Sequence, residues 1–74
     1  MKDEEIKEEL LTVKEVANLL KVNPHRVYDL IRIGILPALK LGSIKIRRRT
    51  LIEFLEKYDG MDLTDLNEIK KLEI

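Results

Sequence analysis

The chain has 74 residues, no cysteine and a formal net charge of zero, with 45% hydrophobic and 38% charged residues. Such a length admits one small domain in which nearly every apolar side chain must serve a single core. The missing cysteines exclude a disulfide framework, a thiolate zinc site and a cysteine nucleophile.

No run approaches the ~20 apolar residues of a membrane span. The opening residues, Met1 to Glu5, are acidic and contain no signal-like apolar stretch, so the expected location is the cytoplasm, away from any membrane. The zero net charge conceals a segregation along the chain. Residues 1–11 sum to −3 and residues 51–74 to −4, whereas residues 12–50 set nine lysines and arginines against Glu15 and Asp29, a net of +7. A polyanion responds to the field within roughly 8–10 Å, so the acidic ends do not cancel the basic middle.

Thr12-Val13-Lys14-Glu15 has the spacing of a capping box, in which the Thr12 hydroxyl and the Glu15 carboxylate each satisfy the other's backbone N–H. It predicts a helix from Val13, with Val16, Ala17, Leu19 and Leu20 as its apolar stripe and Val22 buried in the turn that follows. Asn23-Pro24 then supplies an N-cap and a proline at the first helical position, and predicts a second helix to about Ile33, closed by Gly34. Val27, Leu30 and Ile31 form its inner face, leaving His25, Arg26, Asp29 and Arg32 outside.

Beyond Gly34, Pro37 blocks further helix, and Leu39-Lys40-Leu41 and Ile44-Lys45-Ile46 alternate across Gly42-Ser43, as the strands of a hairpin do. In the expected register Leu39, Leu41, Ile44 and Ile46 are buried, and Lys40, Lys45 and Arg47 face solvent. A third helix is expected over residues 48–58, from Leu51, Ile52, Phe54, Leu55 and Tyr58, and Asp59-Gly60 ends it. Leu63, Leu66, Ile69 and Leu72 recur every three residues. The tail, residues 59–74, therefore reads either as a weak amphipathic helix or as a frayed end, and in the first case offers a face for self-association. The organisation expected is an acidic segment over residues 1–10, a domain over residues 11–58, and this tail.

Helix, tight turn, helix, two-stranded hairpin, helix is the order of a winged helix-turn-helix, a mainly α fold with a small β-hairpin. Residues 11–58 resemble the excisionase-type, MerR-like DNA-binding domains. The resemblance lies in Leu11-Thr12 with Glu15-Val16-Ala17 and Leu19-Leu20, in Val27-Tyr28 with Leu30-Ile31, in Gly34 with Leu36-Pro37-Ala38, in Gly42, and in Leu51 with Phe54-Leu55. The family's wing often carries an aromatic residue where this chain has Ile44 and an arginine where it has Lys45. What the resemblance implies is sequence-specific binding of double-stranded DNA, in the service of an excisionase that directs a site-specific recombinase (an integrase) or of a small phage or mobile-element transcriptional regulator.

Candidate DNA-binding residues follow from chemistry as well as from position. A helix laid in the major groove reads base edges mainly from its N-terminal part. There Arg26 suits a guanine edge, His25 a base or phosphate, and Asn23 a cap or backbone contact, with Asp29 and Arg32 on the same face. Tyr28 has two readings, a ring in the core with its hydroxyl on a phosphate, or packing alone. Lys40, Ser43, Lys45, Arg47 and Arg48 form a basic hairpin suited to a minor groove or to phosphates, although lysines on an edge strand also serve solubility, and Arg49 is placed to pair with Glu53. Thr12 and Lys14, at a helix start, suit phosphate.

His25 has no second histidine to share a metal, and no nucleophile-base pair or phosphate-cradling glycine motif occurs. Metal, cofactor, small-molecule substrate and enzymatic activity are therefore not expected. The rival to DNA binding is a protein-interaction adaptor or antitoxin-like module using the acidic ends and the apolar tail.

Overall fold

The computed structural model describes residues 9–74. The acidic N-terminal segment lies outside the described residues up to position 8. Strand β1 (Leu10–Thr12) leads directly into helix α1 (Val13–Leu20), which is followed by α2 (Pro24–Arg32), β2 (Leu39–Leu41), β3 (Ser43–Arg47) and α3 (Arg48–Lys57). Two short strands, β4 (Met61–Asp62) and β5 (Lys70–Lys71), complete the order.

Both caps form as their sequences dictate. Glu15 N–H donates to the Thr12 hydroxyl at 3.1 Å and Thr12 N–H donates to the Glu15 carboxylate at 2.9 Å. The Asn23 side chain accepts from His25 N–H at 2.9 Å, ahead of Pro24 at the first turn. Between these helices the chain reverses at Lys21, a non-glycine residue in the left-handed region with φ 60°. So tight a reversal leaves Val22 39% exposed, at the rim of a groove, where burial was expected. Leu19 is also exposed, because α1 faces the core with Val13, Val16 and Ala17 and, in part, Leu20.

The core joins those three residues to Leu11, Val27, Leu30, Leu36, Ile46, Leu51 and Phe54. After α2, Gly34 takes φ 91°, and the N–H groups of Ile35 and Leu36 both donate to the Leu30 carbonyl at 3.2 Å. That turn drives Leu36 inward to full burial. In α3 only Leu51 and Phe54 are buried, with Tyr58 partly so and its ring 5.2 Å from that of Phe54; Ile52 and Leu55 lie on the outer side.

The sheet departs from the sequence expectation twice. First, it has three strands in the order β1-β3-β2, both pairs antiparallel, because Leu10–Thr12 adds to the hairpin with Leu11 opposite Ile46 and Thr12 opposite Lys45. Second, the hairpin reverses about Gly42 alone, at φ 78°, so that Leu41 stands opposite Ser43, Lys40 opposite Ile44 and Leu39 opposite Lys45. A slip of one residue transfers a strand's whole side-chain set to the other face. Leu39 and Leu41, 43% and 61% exposed, consequently share the outer face with Ser43, Lys45 and Arg47, whereas Lys40 falls on the side of Ile44 and Ile46.

The tail is not helical. Met61 pairs with Lys71 and Asp62 with Lys70 in a small antiparallel ribbon, and its turn is held by Asp62 accepting from Thr64 N–H at 2.9 Å and Asp65 accepting from Asn67 N–H at 3.0 Å. Aspartate side chains compete for local backbone N–H groups in this way and favour turns over helix. Leu63 and Leu66 pack against the core from this ribbon, so two of the four stripe residues are taken up within the chain. No described helix is long and apolar enough to cross a membrane.

Candidate nucleic-acid interface

The outward stripe of α2 is organised around one carboxylate. Asp29 accepts from the Arg32 guanidinium at 2.9 Å, and its other oxygen lies 3.6 Å from Nε2 of His25. Residues three and four apart are neighbours on a helix surface, which is why these side chains meet. The Asp29 side chain is only 19% exposed, against 78% for His25 and 67% for Arg32. The acid thus sits beneath two projecting donors. Tyr28, on the same helix, is 45% exposed and is not among the core residues or the hydrophobics packed against them.

Arg26 is placed differently from its neighbours. Its guanidinium donates to the carbonyl oxygen of Leu63 at 2.7 Å and to that of Thr64. Instead of projecting with His25 and Arg32, it is half-buried against the tail. Sequence reasoning missed this contact, since no pattern announces that two consecutive carbonyls of a distant turn will converge on one arginine.

Along the sheet's outer face, strand pairing brings Thr12 beside Lys45 and Leu10 beside Arg47. Lys45 Nζ donates to the Ser43 hydroxyl at 2.7 Å, which steadies the ammonium near the hairpin tip. Arg48 opens α3, its N–H on the Glu9 carbonyl at 2.9 Å and its guanidinium 3.7 Å from the Glu9 carboxylate. Lys14 is exposed in the first turn of α1, and Lys40 is exposed on the opposite side of the hairpin from Lys45. Among the described residues, no ion pair joins Arg49 to Glu53. The structure therefore gathers His25, Asp29 and Arg32 on one stripe, and Thr12, Ser43, Lys45 and Arg47 on one sheet face. It separates Arg26 and Lys40 from both groups, and uses Asn23 as a cap.

In comparisons with known proteins, residues 10–59 match the family model described as "Helix-turn-helix domain". The chain belongs to this helix-turn-helix family. Two relatives, from two strains of Mycobacterium tuberculosis and each named a "Putative DNA-binding protein", are 39% identical over 54 residues, covering 72% of this chain and 69% of each relative. No solved structure matches significantly. The helix-turn-helix match spans β1 through α3 and ends at the start of the tail, so the ribbon that holds Arg26 lies beyond the shared module.

No charged residue is buried among the described residues; Arg26 and Lys45 are half-buried, and the module's other lysines and arginines are exposed. The Thr64 backbone N–H, then the Thr64 hydroxyl and the positive charge of Lys70, hold the Asp62 carboxyl below the ordinary carboxylate value.

Proposed function

We propose that this chain binds double-stranded DNA in a sequence-dependent manner, with α2 in the major groove and the β2–β3 hairpin acting as a wing on the adjacent minor groove or backbone. The observation carrying this reading is the outward stripe of α2, where Asp29 steadies His25 and Arg32 as two projecting donors on a helix whose inner face is fully occupied by the core. An arginine steadied in this way suits the paired acceptors of a guanine edge. Phosphate neutralisation falls to Lys14, Lys45, Arg47 and Arg48, with Tyr28 and the Thr12 hydroxyl as neutral donors. Membership of the helix-turn-helix family and the names of the mycobacterial relatives support the same reading.

A module of this size buries limited surface on DNA, so strong occupancy requires adjacent sites or a protein bound nearby. That requirement fits a recombination directionality factor working beside a site-specific recombinase, or a small regulator of a phage or mobile element. The reading assigns no catalytic step to the chain.

Selection of bound duplexes from a randomised pool, followed by guanine N7 methylation interference, tests the proposal. A recovered motif with interference confined to a few adjacent guanines, and abolished at one of them by Arg32→Ala, is expected. Recovery of no motif from a folded protein would refute it.

A further inference from the structure

The C-terminal ribbon and Arg26 are joined in a way that bears on DNA binding. Arg26 is the third residue after the Asn23 cap's start of α2, in the part of the helix that approaches bases, yet its guanidinium is committed to the carbonyls of Leu63 and Thr64. The ribbon of residues 61–72 carries Asp62, Asp65 and Glu68 against Lys70 and Lys71, a net charge of −1, with Asp62 and Asp65 flanking in sequence the two carbonyls that hold Arg26. While docked, the ribbon withdraws one cation from the DNA-facing helix and sets acidic chain beside it. Both effects oppose the approach of a polyanion.

The docking is also of a kind that can open. Two strands of two residues do not stand alone in water, so the ribbon depends on Leu63 and Leu66 against the core, on Leu72 N–H donating to Gly60 O at 2.9 Å, and on Arg26. Leu63 borders an open groove of about 670 Å³ beside Leu20, Val22 and Leu30, so its seat is incompletely filled. Few buried apolar contacts and exposed backbone hydrogen bonds mark an element of low local stability.

We infer that the ribbon of residues 61–72 is an intramolecular brake on DNA binding, docked through Arg26 and released to free that arginine. The brake rests on the DNA-binding reading above. A docked state with weak affinity and an undocked state with stronger affinity make a two-state element, and any ligand that prefers one state shifts the balance. DNA itself prefers the undocked state, since it competes with two carbonyls for the same guanidinium.

The test compares the full-length chain with Leu63→Asp, Thr64→Pro, and each of these combined with Arg26→Gln, by fluorescence anisotropy on random duplex DNA at low salt. Amide hydrogen exchange at Thr64 in the Leu63→Asp chains, and at Leu72 throughout, reports release of the ribbon, and exchange in α1 and α3 reports the integrity of the module. Leu63→Asp undocks the ribbon while adding a negative charge, so a gain in affinity would run against its own electrostatics. Thr64→Pro removes the N–H that Asp62 accepts, adds no charge and spares the core, and it decides the matter if Leu63→Asp fails to fold. Released variants are expected to bind roughly three- to tenfold more tightly than wild type, with the gain reduced by Arg26→Gln. Unchanged or weaker binding by folded, released Thr64→Pro, which adds no charge, overturns the brake and makes the ribbon a strut. Absence of binding by wild type and all variants overturns the DNA reading itself, and the brake with it.

Discussion

The Asp29 carboxylate and the Arg32 guanidinium are locked together at 2.9 Å, three residues apart on the outer face of α2. An acid on a face proposed to meet phosphate is costly unless it serves its neighbours, and here its single hydrogen bond narrows the rotamers open to the Arg32 side chain. As an exposed pair it contributes only about 0.2–1 kcal/mol to stability. Asp29→Ala is therefore expected to leave thermal unfolding nearly unchanged, to strengthen binding to random duplex slightly, and to lower discrimination between a selected site and random DNA by about 1 kcal/mol. Paired anisotropy titrations on the two duplexes measure this. Equal discrimination by variant and wild type would show that Asp29 positions nothing.

Thr12 has two occupations, as cap of α1 and as cross-strand neighbour of Lys45. Thr12→Ala removes the hydroxyl that accepts from Glu15 N–H. Loss of about 1 kcal/mol is expected, as a lower urea midpoint at unchanged slope. Thr12→Ser, which keeps the acceptor, should restore most of it.

Gly42 makes the hairpin reversal at φ 78°, with open space where a Cβ would sit. Gly42→Ala therefore meets backbone strain without a clash, and is expected to cost about 1 kcal/mol. Gly42→Asn should cost less, because asparagine tolerates the left-handed region. Chemical denaturation of both variants checks the ranking, and a reversed order would mean that the turn is not built about Gly42.

Leu36 is fully buried where the chain leaves α2. Leu36→Ala is expected to cost about 2–5 kcal/mol, enough in a domain this small to leave a substantial unfolded fraction at room temperature. Circular dichroism at 222 nm reads this directly. A folded variant of near wild-type stability would place Leu36 outside the core.

The tail turn has a pH dependence of defined sign. The Asp62 carboxyl is held below its ordinary value of 3.8, chiefly by the Thr64 backbone N–H. A depressed carboxylate stabilises the folded turn fully above the ordinary value, and that contribution is lost as pH falls through the depressed one. The Thr64 amide resonance should therefore be constant near neutrality and move only in acid, with a midpoint below the ordinary carboxylate value. Asp62→Asn should abolish the movement.

Much of this architecture was legible because it is local. The capping box at Thr12, the Asn23-Pro24 helix start and the Gly34 stop are each written within a few residues, and each appears where read. The hairpin was legible as a hairpin but not in its register. Gly42-Ser43 fits a two-residue loop as well as a reversal about Gly42 alone, and the choice is made by β1 and the core, which select Ile44 and Ile46 for burial and leave Leu39 and Leu41 outside. The tail failed for a related reason. Its three-residue spacing of leucines resembles a helical stripe, but Asp62 and Asp65 spend their side chains on backbone N–H groups of turns, and long-range pairing with Lys70 and Lys71 does the rest. Of the candidate site, the α2 stripe was visible from its polarity, whereas the diversion of Arg26 depended on where a distant segment folds back.

The central claim, that this helix-turn-helix module binds DNA through the outer face of α2 and the basic hairpin, is tested most directly by the salt dependence of its affinity for random duplex. Wild type is compared with Arg32→Ala and with Lys45→Ala/Arg47→Ala. A steep linear fall of log K with log salt is expected, with the slope reduced by about 1 for each phosphate contact removed in the hairpin variant. Affinity indifferent to salt, or to all three residues, would contradict the account and return the basic middle of the chain to a solvated surface.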